Sequence, residues 1–328
     1  MCRTDKRIKQ VMLCIIFSGL FQALYGALEV LLAGNSSWIF GLPVKNVATG
    51  TFVYKNHFAN YLMLCLSIGV GYLVSTLNTQ TASTKREHIR NFLNTMLNGK
   101  AVVRIALAIM VIALVMSRSR MGNTAFFASM TILGLLGLLL IKHRSRGLTM
   151  LIVSLFVIDT FILSAWFGLD KVQERLEQTS LEQEKRDEVV RDSLPLLSDF
   201  SSTGSGMGTY YNVFTNYQGE DIYAFYDHAH NDYLQFAIEG GIPATILIAL
   251  LPLWAFIEGI KALRERRNGL MQGLAFGGCM AILGMFIHIS VDFPLQAPAN
   301  AMLFVIIIAL AFCSKKRERR RRSRQALN

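Results

Sequence analysis

The apolar positions of the chain fall in long blocks, not in short alternations with polar residues. A helix needs about 20 apolar residues to cross the hydrocarbon core of a bilayer. Lipid offers no partner to bare backbone, so such blocks must be helical. Eight segments qualify: Val11–Ala33, His57–Leu77, Ala101–Met116, Gly122–Ile141, Leu148–Gly168, Gly241–Ile260, Leu270–Ser290 and Ala299–Cys313. The pattern predicts an all-α fold, a polytopic membrane helix bundle forming one integral membrane domain over 1–328. No soluble stretch is long enough to stand as a second domain, and no internal repeat is visible.

Charge orients the bundle. Of the 33 Lys and Arg residues, 23 lie in 1–10, 78–100, 142–147, 261–268 and 314–328. Positive loops are retained in the cytoplasm, which predicts cytoplasmic termini and an even number of spans. The net charge of +11 then reflects membrane orientation. The basic tail 314–328 reads as an anchor against anionic lipid. It lacks the aromatic interleaving and folded basic domain of a nucleic-acid binder, so no nucleic-acid partner is expected. The basic start and apolar run at the N-terminus exceed a signal peptide and read as an uncleaved first helix. Cys2, Cys14, Cys65, Cys279 and Cys313 sit in spans or at cytoplasmic ends, which predicts neither disulfides nor a cysteine metal site.

Two segments remain on the other face. One is Gly34–Lys55; the other is the long loop 169–239 between the fifth and sixth spans. Lys171–Asp192 within it reads as a surface helix, and Ser201–Tyr226, rich in Gly, Ser, Thr and Tyr, as irregular chain. Long irregular loops on rigid scaffolds commonly carry function.

The candidate chemistry lies on that face. Ser117-Arg118-Ser119-Arg120 places two guanidinium groups between adjacent spans. They are either snorkelling anchors or a clamp for an anion such as a lipid diphosphate, turned into the bundle. Asp227-His228-Ala229-His230-Asn231-Asp232 closes the long loop. It reads as a general acid or base, as a loop cap, or as a metal site, for which the spacing is wrong. Eight aromatic residues crowd 210–233, among them Tyr210 and Tyr211. They suit an interfacial belt or a sugar-binding surface. Glu29, His57, Asn60, His288 and Asp292 are polar residues at span ends that need partners.

Four stretches resemble the O-antigen ligase and polymerase superfamily of bacterial membrane glycosyltransferases. They are Gly50-Thr51-Phe52-Val53-Tyr54-Lys55-Asn56-His57-Phe58-Ala59, Ser117-Arg118-Ser119-Arg120, Gly204–Tyr233 and Val291-Asp292-Phe293-Pro294-Leu295. His230-Asn231, nine residues ahead of Gly241-Ile242-Pro243-Ala244, is similar to a ligase loop pattern, with Ala244 replacing its final glycine. Arg186, or Arg191 as the close alternative, precedes Gly204-Ser205-Gly206-Met207-Gly208 as a family arginine does. Family members usually carry more spans, so the chain reads as a short member or a truncated reading frame.

The resemblance implies an inverting transfer that needs no metal and no cofactor, at the periplasmic face of the bacterial inner membrane. The donor would be a glycan on undecaprenyl diphosphate. The acceptor would be a sugar hydroxyl, on lipid A–core for a ligase or on a glycan repeat for a polymerase. It implies catalytic roles for His230, Arg118, Arg120 and Arg186, and substrate binding by Arg191, His228, Asn231, Tyr210 and Tyr211. A non-catalytic transporter of lipid-linked glycan is the competing class. It calls for broken helices or paired repeats near the midplane.

Overall fold

The computed structural model describes residues 4–32, 37–39, 41, 47–76, 99–141, 149–150, 153–154, 188–219 and 226–325. These residues are helical or in turns, with no strand among them. The long helices are α1 (Asp5–Leu32), α2 (Lys55–Ser75), α3 (Gly99–Met116) and α4 (Arg120–Leu140). The loop carries α5 (188–199) and the short α6 (Tyr210–Phe214). Then follow α7 (Asp232–Glu265), α8 (Gly269–His288) and α9 (Pro298–Gln325). Six helices are long and apolar enough to cross a membrane, and Ala101–Met116 is a shorter apolar one. Seven of the eight expected spans thus coincide with helices. The fifth, Leu148–Gly168, lies almost wholly outside the described residues, as does most of the helix expected over Lys171–Asp192.

The centre of the bundle is the pair α2 and α8. Their buried faces run almost all the way round, as expected of helices enclosed by other helices. Gly71, Gly273 and Gly277 bring the two backbones into contact, where any Cβ would strike main-chain atoms. Close approach through small residues is the usual way helices associate in lipid. Around this pair stand α1, α3, α4, α7 and α9, which expose apolar residues such as Phe21, Ile112, Leu135, Leu247 and Met302.

One end of the bundle collects the start of α1, the end of α7 and the start of α8, with Lys6, Arg7, Lys261 and Arg267. The other end, here the site end, holds the starts of α2, α4, α7 and α9. The Ala48 N–H donates to the Met116 carbonyl there (3.1 Å), and the Asn300 side-chain amide donates to the His57 carbonyl (3.1 Å).

The sixth span differs from the expectation. Its helix begins at Asp232, nine residues before Gly241, and bends at Gly241, whose φ of 78° and ψ of 156° are not helical. Only glycine adopts that conformation without strain. The loop seats on the bend. Ser205 and Gly206 donate N–H groups to the Ile238 and Glu239 carbonyls (2.9 and 3.0 Å), and Ile242 donates to Ser201 (2.8 Å). A Cβ on Gly241 would lie 2.7 Å from the Ser202 oxygen.

Candidate functional site

The start of α7 organises the site end. Asn231 caps the helix: its side-chain oxygen accepts from the Leu234 N–H (3.1 Å), and its NH2 donates to the Ser290 carbonyl (2.9 Å). The next residue, Asp232, is fully buried. Its N–H donates to the Ile289 carbonyl (3.1 Å), and its carboxylate accepts from the Leu295 N–H (2.9 Å) and the Gln296 amide (3.1 Å). These bonds lock the turn between α8 and α9 against α7, and that turn carries Phe293.

Phe293 is the hub of a cluster drawn from three distant stretches of chain. The His228 ring stacks on it with centroids 4.3 Å apart. His230 and His57 meet it edge to face at 4.9 and 5.0 Å. Tyr54 stacks on it at 5.5 Å and meets His57 edge to face at 5.0 Å, and Tyr226 lies edge-on to His230 at 5.9 Å. Such offset and T-shaped contacts are the favoured aromatic geometries.

His230 takes a left-handed backbone, φ 51°. That conformation is uncommon for a residue with a Cβ. Here the Asn231 cap that follows holds it, and the turn brings the imidazole over Phe293. The His228 Nδ1 lies 3.1 to 3.2 Å from the Gln235 amide. The Gln235 NH2 donates to the Glu239 carboxylate (3.2 Å), which also accepts from the Tyr210 N–H (3.2 Å).

A buried polar chain supports the cluster from below. The Asn60 amide lies 3.0 Å from the His288 Nδ1, and the His288 Nε2 is 4.0 Å from the Asp292 carboxylate. Asp292 accepts from the Asn56 amide, which also donates to the Tyr54 hydroxyl (2.8 Å). The i,i+4 pairing expected of His288 and Asp292 is therefore one link in a longer path that fixes Tyr54.

The other expected site residues are placed differently. In the corner 117–120 the serines turn inward and the arginines outward. Ser117 and Ser119 are buried, while Arg118 (φ 50°) and Arg120 are exposed. The Ser117 hydroxyl donates to the Leu114 carbonyl (2.6 Å), and Ser119 caps α4 by accepting from the Gly122 N–H (3.2 Å). Both arginines are exposed at this corner. The rings of Phe293 and Tyr226 meet His230. Arg191 is exposed and pairs with its neighbour Asp192 (3.1 Å); Arg186 lies outside the described residues.

Tyr210 is not a sugar platform, because it has no exposed surface. It stacks on Phe214 at 5.1 Å inside a small core with Val189, Leu196 and Ile238, its hydroxyl 2.8 Å from Ser193. Burial pushes its phenol pKa up, so the group stays neutral. Tyr211 is 44% exposed and keeps an open ring. Asn231 directs both ends of its amide to backbone, which makes it a cap before anything else.

Reasoning from sequence missed the central place of Phe293 and the Gln235–Glu239 link. Phe293 stood inside the Val291–Leu295 stretch, but nothing local marks a phenylalanine as a hub. Three imidazoles with an aromatic support suit proton transfer and hydroxyl binding. The matched residues of the family model described as "O-Antigen ligase" are 105–249, a segment that contains Arg118, Arg120, Arg191, His228 and His230 but neither His57 nor Phe293. No curated protein matches the chain.

Proposed function

We propose that this chain, whose match supports membership of the O-antigen ligase and polymerase family, transfers a glycan from undecaprenyl diphosphate to a sugar hydroxyl at its site end. The observation that carries this reading is the convergence of His230, inside the matched segment, with His57 and His228 on Phe293. The acceptor is lipid A–core, and the site end faces the periplasm of the inner membrane.

In the step proposed, the acceptor hydroxyl oxygen attacks the anomeric carbon from the face opposite the diphosphate. The new glycosidic bond forms as the anomeric C–O bond to the diphosphate breaks, and its electron pair leaves with undecaprenyl diphosphate. The configuration inverts. The hydroxyl proton passes to the His230 imidazole. Exposed Arg118 and Arg120, with Arg186 or Arg191 from the loop, bind the diphosphate and offset the charge that grows on it. Diphosphate is a good leaving group, so holding donor and acceptor together supplies much of the rate. His228, stacked on Phe293 and bonded to Gln235, positions the cluster.

The lipopolysaccharide ladder of a deletion strain tests this reading. A ligase predicts loss of all long-chain bands with accumulation of lipid-linked polymer, restored by the wild-type chain and not by His230→Ala. Bands carrying a single repeat alone assign a polymerase. An unchanged ladder overturns the proposal.

A further inference from the structure

We infer that His57 is a substrate-binding residue whose Nε2 hydrogen-bonds a hydroxyl of the acceptor sugar; this rests on the proposed function and deepens it. His57 opens α2, outside the segment that the family model matches. Its ring stands edge to face against both Tyr54 and Phe293, at 5.0 Å from each. It interacts electrostatically with His228, and its ring has the Phe293 backbone as a hydrogen-bond neighbour.

The second observation is the Nε2 atom itself. It is buried, and among the described residues it has no hydrogen-bond partner. Buried polar atoms in folded proteins nearly always have a partner, because leaving one unmade is costly. The neighbouring side chains are fixed: Tyr54 through Asn56 and Asp292, and the Phe293 turn through Asp232. The Tyr54 side chain, held by Asn56, is therefore not free to turn to Nε2.

The surroundings say which kind of partner fits. Among the described residues, the rings in contact with Phe293 are those of Tyr54, His57, His228 and His230, not the guanidinium groups that suit a diphosphate. An imidazole nitrogen among aromatic rings fits an uncharged hydroxyl, as sugar-binding pockets combine apolar walls with a few placed polar groups. The acceptor hydroxyl must approach His230, and His230 shares Phe293 with His57. Binding one hydroxyl at His57 while a second meets His230 fixes which hydroxyl is glycosylated.

The test compares His57→Phe and His57→Gln in the full chain reconstituted in liposomes, with purified lipid-linked donor and lipid A–core acceptor. Phenylalanine keeps the edge-to-face packing and removes the nitrogen. Glutamine places an amide where Nε2 stood. We expect His57→Phe to raise the acceptor KM about tenfold, the worth of a typical buried hydrogen bond to substrate. The donor KM and the melting temperature should hold, and His57→Gln should recover part of the loss. An unchanged acceptor KM in His57→Phe overturns the inference while leaving the proposed function standing. So does a fall in melting temperature with no KM change, which marks a structural water or packing role. A wild-type chain that transfers nothing overturns the proposed function, and the inference with it.

Discussion

Single residues at the site end divide into those that build and those that face substrate. Asn231 is a builder, because its oxygen caps α7 and its NH2 holds the turn after α8. Asn231→Ala should lower stability by about 1 kcal/mol, the usual worth of a helix cap, while Asn231→Asp retains the cap and most of that stability. Thermal unfolding in detergent micelles reads the difference; equal melting temperatures for wild type and Asn231→Ala would contradict the assignment. Tyr210 is a second builder. Tyr210→Phe should keep transfer intact at a cost of about 1 kcal/mol for the lost Ser193 bond. Tyr210→Ala should cost roughly 3–5 kcal/mol through the cavity it leaves. If Tyr210→Phe instead raised the acceptor KM, the hydroxyl would belong to the binding surface after all.

At the scale of elements, the bend in α7 joins the loop to the bundle. The Gly241 conformation is open only to glycine, and the Ser202 carbonyl fills the space a side chain would need. Gly241→Ala should therefore release the 201–206 segment from the helix, at a cost of about 1–3 kcal/mol. Limited proteolysis measures this directly: cleavage within 201–208 should accelerate in the variant, and an unchanged rate would show that the loop is held elsewhere. The same bend explains where sequence reading succeeded and failed. The apolar blocks located α2, α3, α4 and α8 to within a few residues, because length and hydropathy alone decide a span, whereas α1 starts six residues before its block and α9 runs twelve residues past its own into the basic tail. They placed the start of α7 nine residues late. Asp232–Gly240 mixes charged and apolar residues, and the helix there is set by the Asn231 cap and by docking on the turn after α8. The same limit applies to the site. His57 and Asp292 were visible as polar residues near span ends, and His230 as part of the Asp-His-Ala-His-Asn-Asp stretch that closes the long loop. That Phe293 gathers two of them, and that Arg118 and Arg120 turn outward from a two-serine corner, depend on packing between segments far apart in the chain.

For the whole molecule, the basic residues at one end and the histidine cluster at the other support the proposal that the site end faces the periplasm. A reporter fused after Arg324 should be active only in the cytoplasm, and one inserted after Asn216 only in the periplasm; the reverse result would invert the bundle. In the proposed orientation, lipid-linked glycan would reach the cluster from the periplasmic side. The central claim is that His230 takes the acceptor proton, with Phe293 and His228 as its support. Replacing each histidine by phenylalanine isolates that role, since the aromatic contact with Phe293 is kept and only the imidazole is lost. Initial transfer rates in liposomes should fall by a hundredfold or more for His230→Phe, on the order of general-base loss, and by much less for His228→Phe, with EDTA changing neither. Full transfer by His230→Phe, or equal losses in the two variants, would contradict the account.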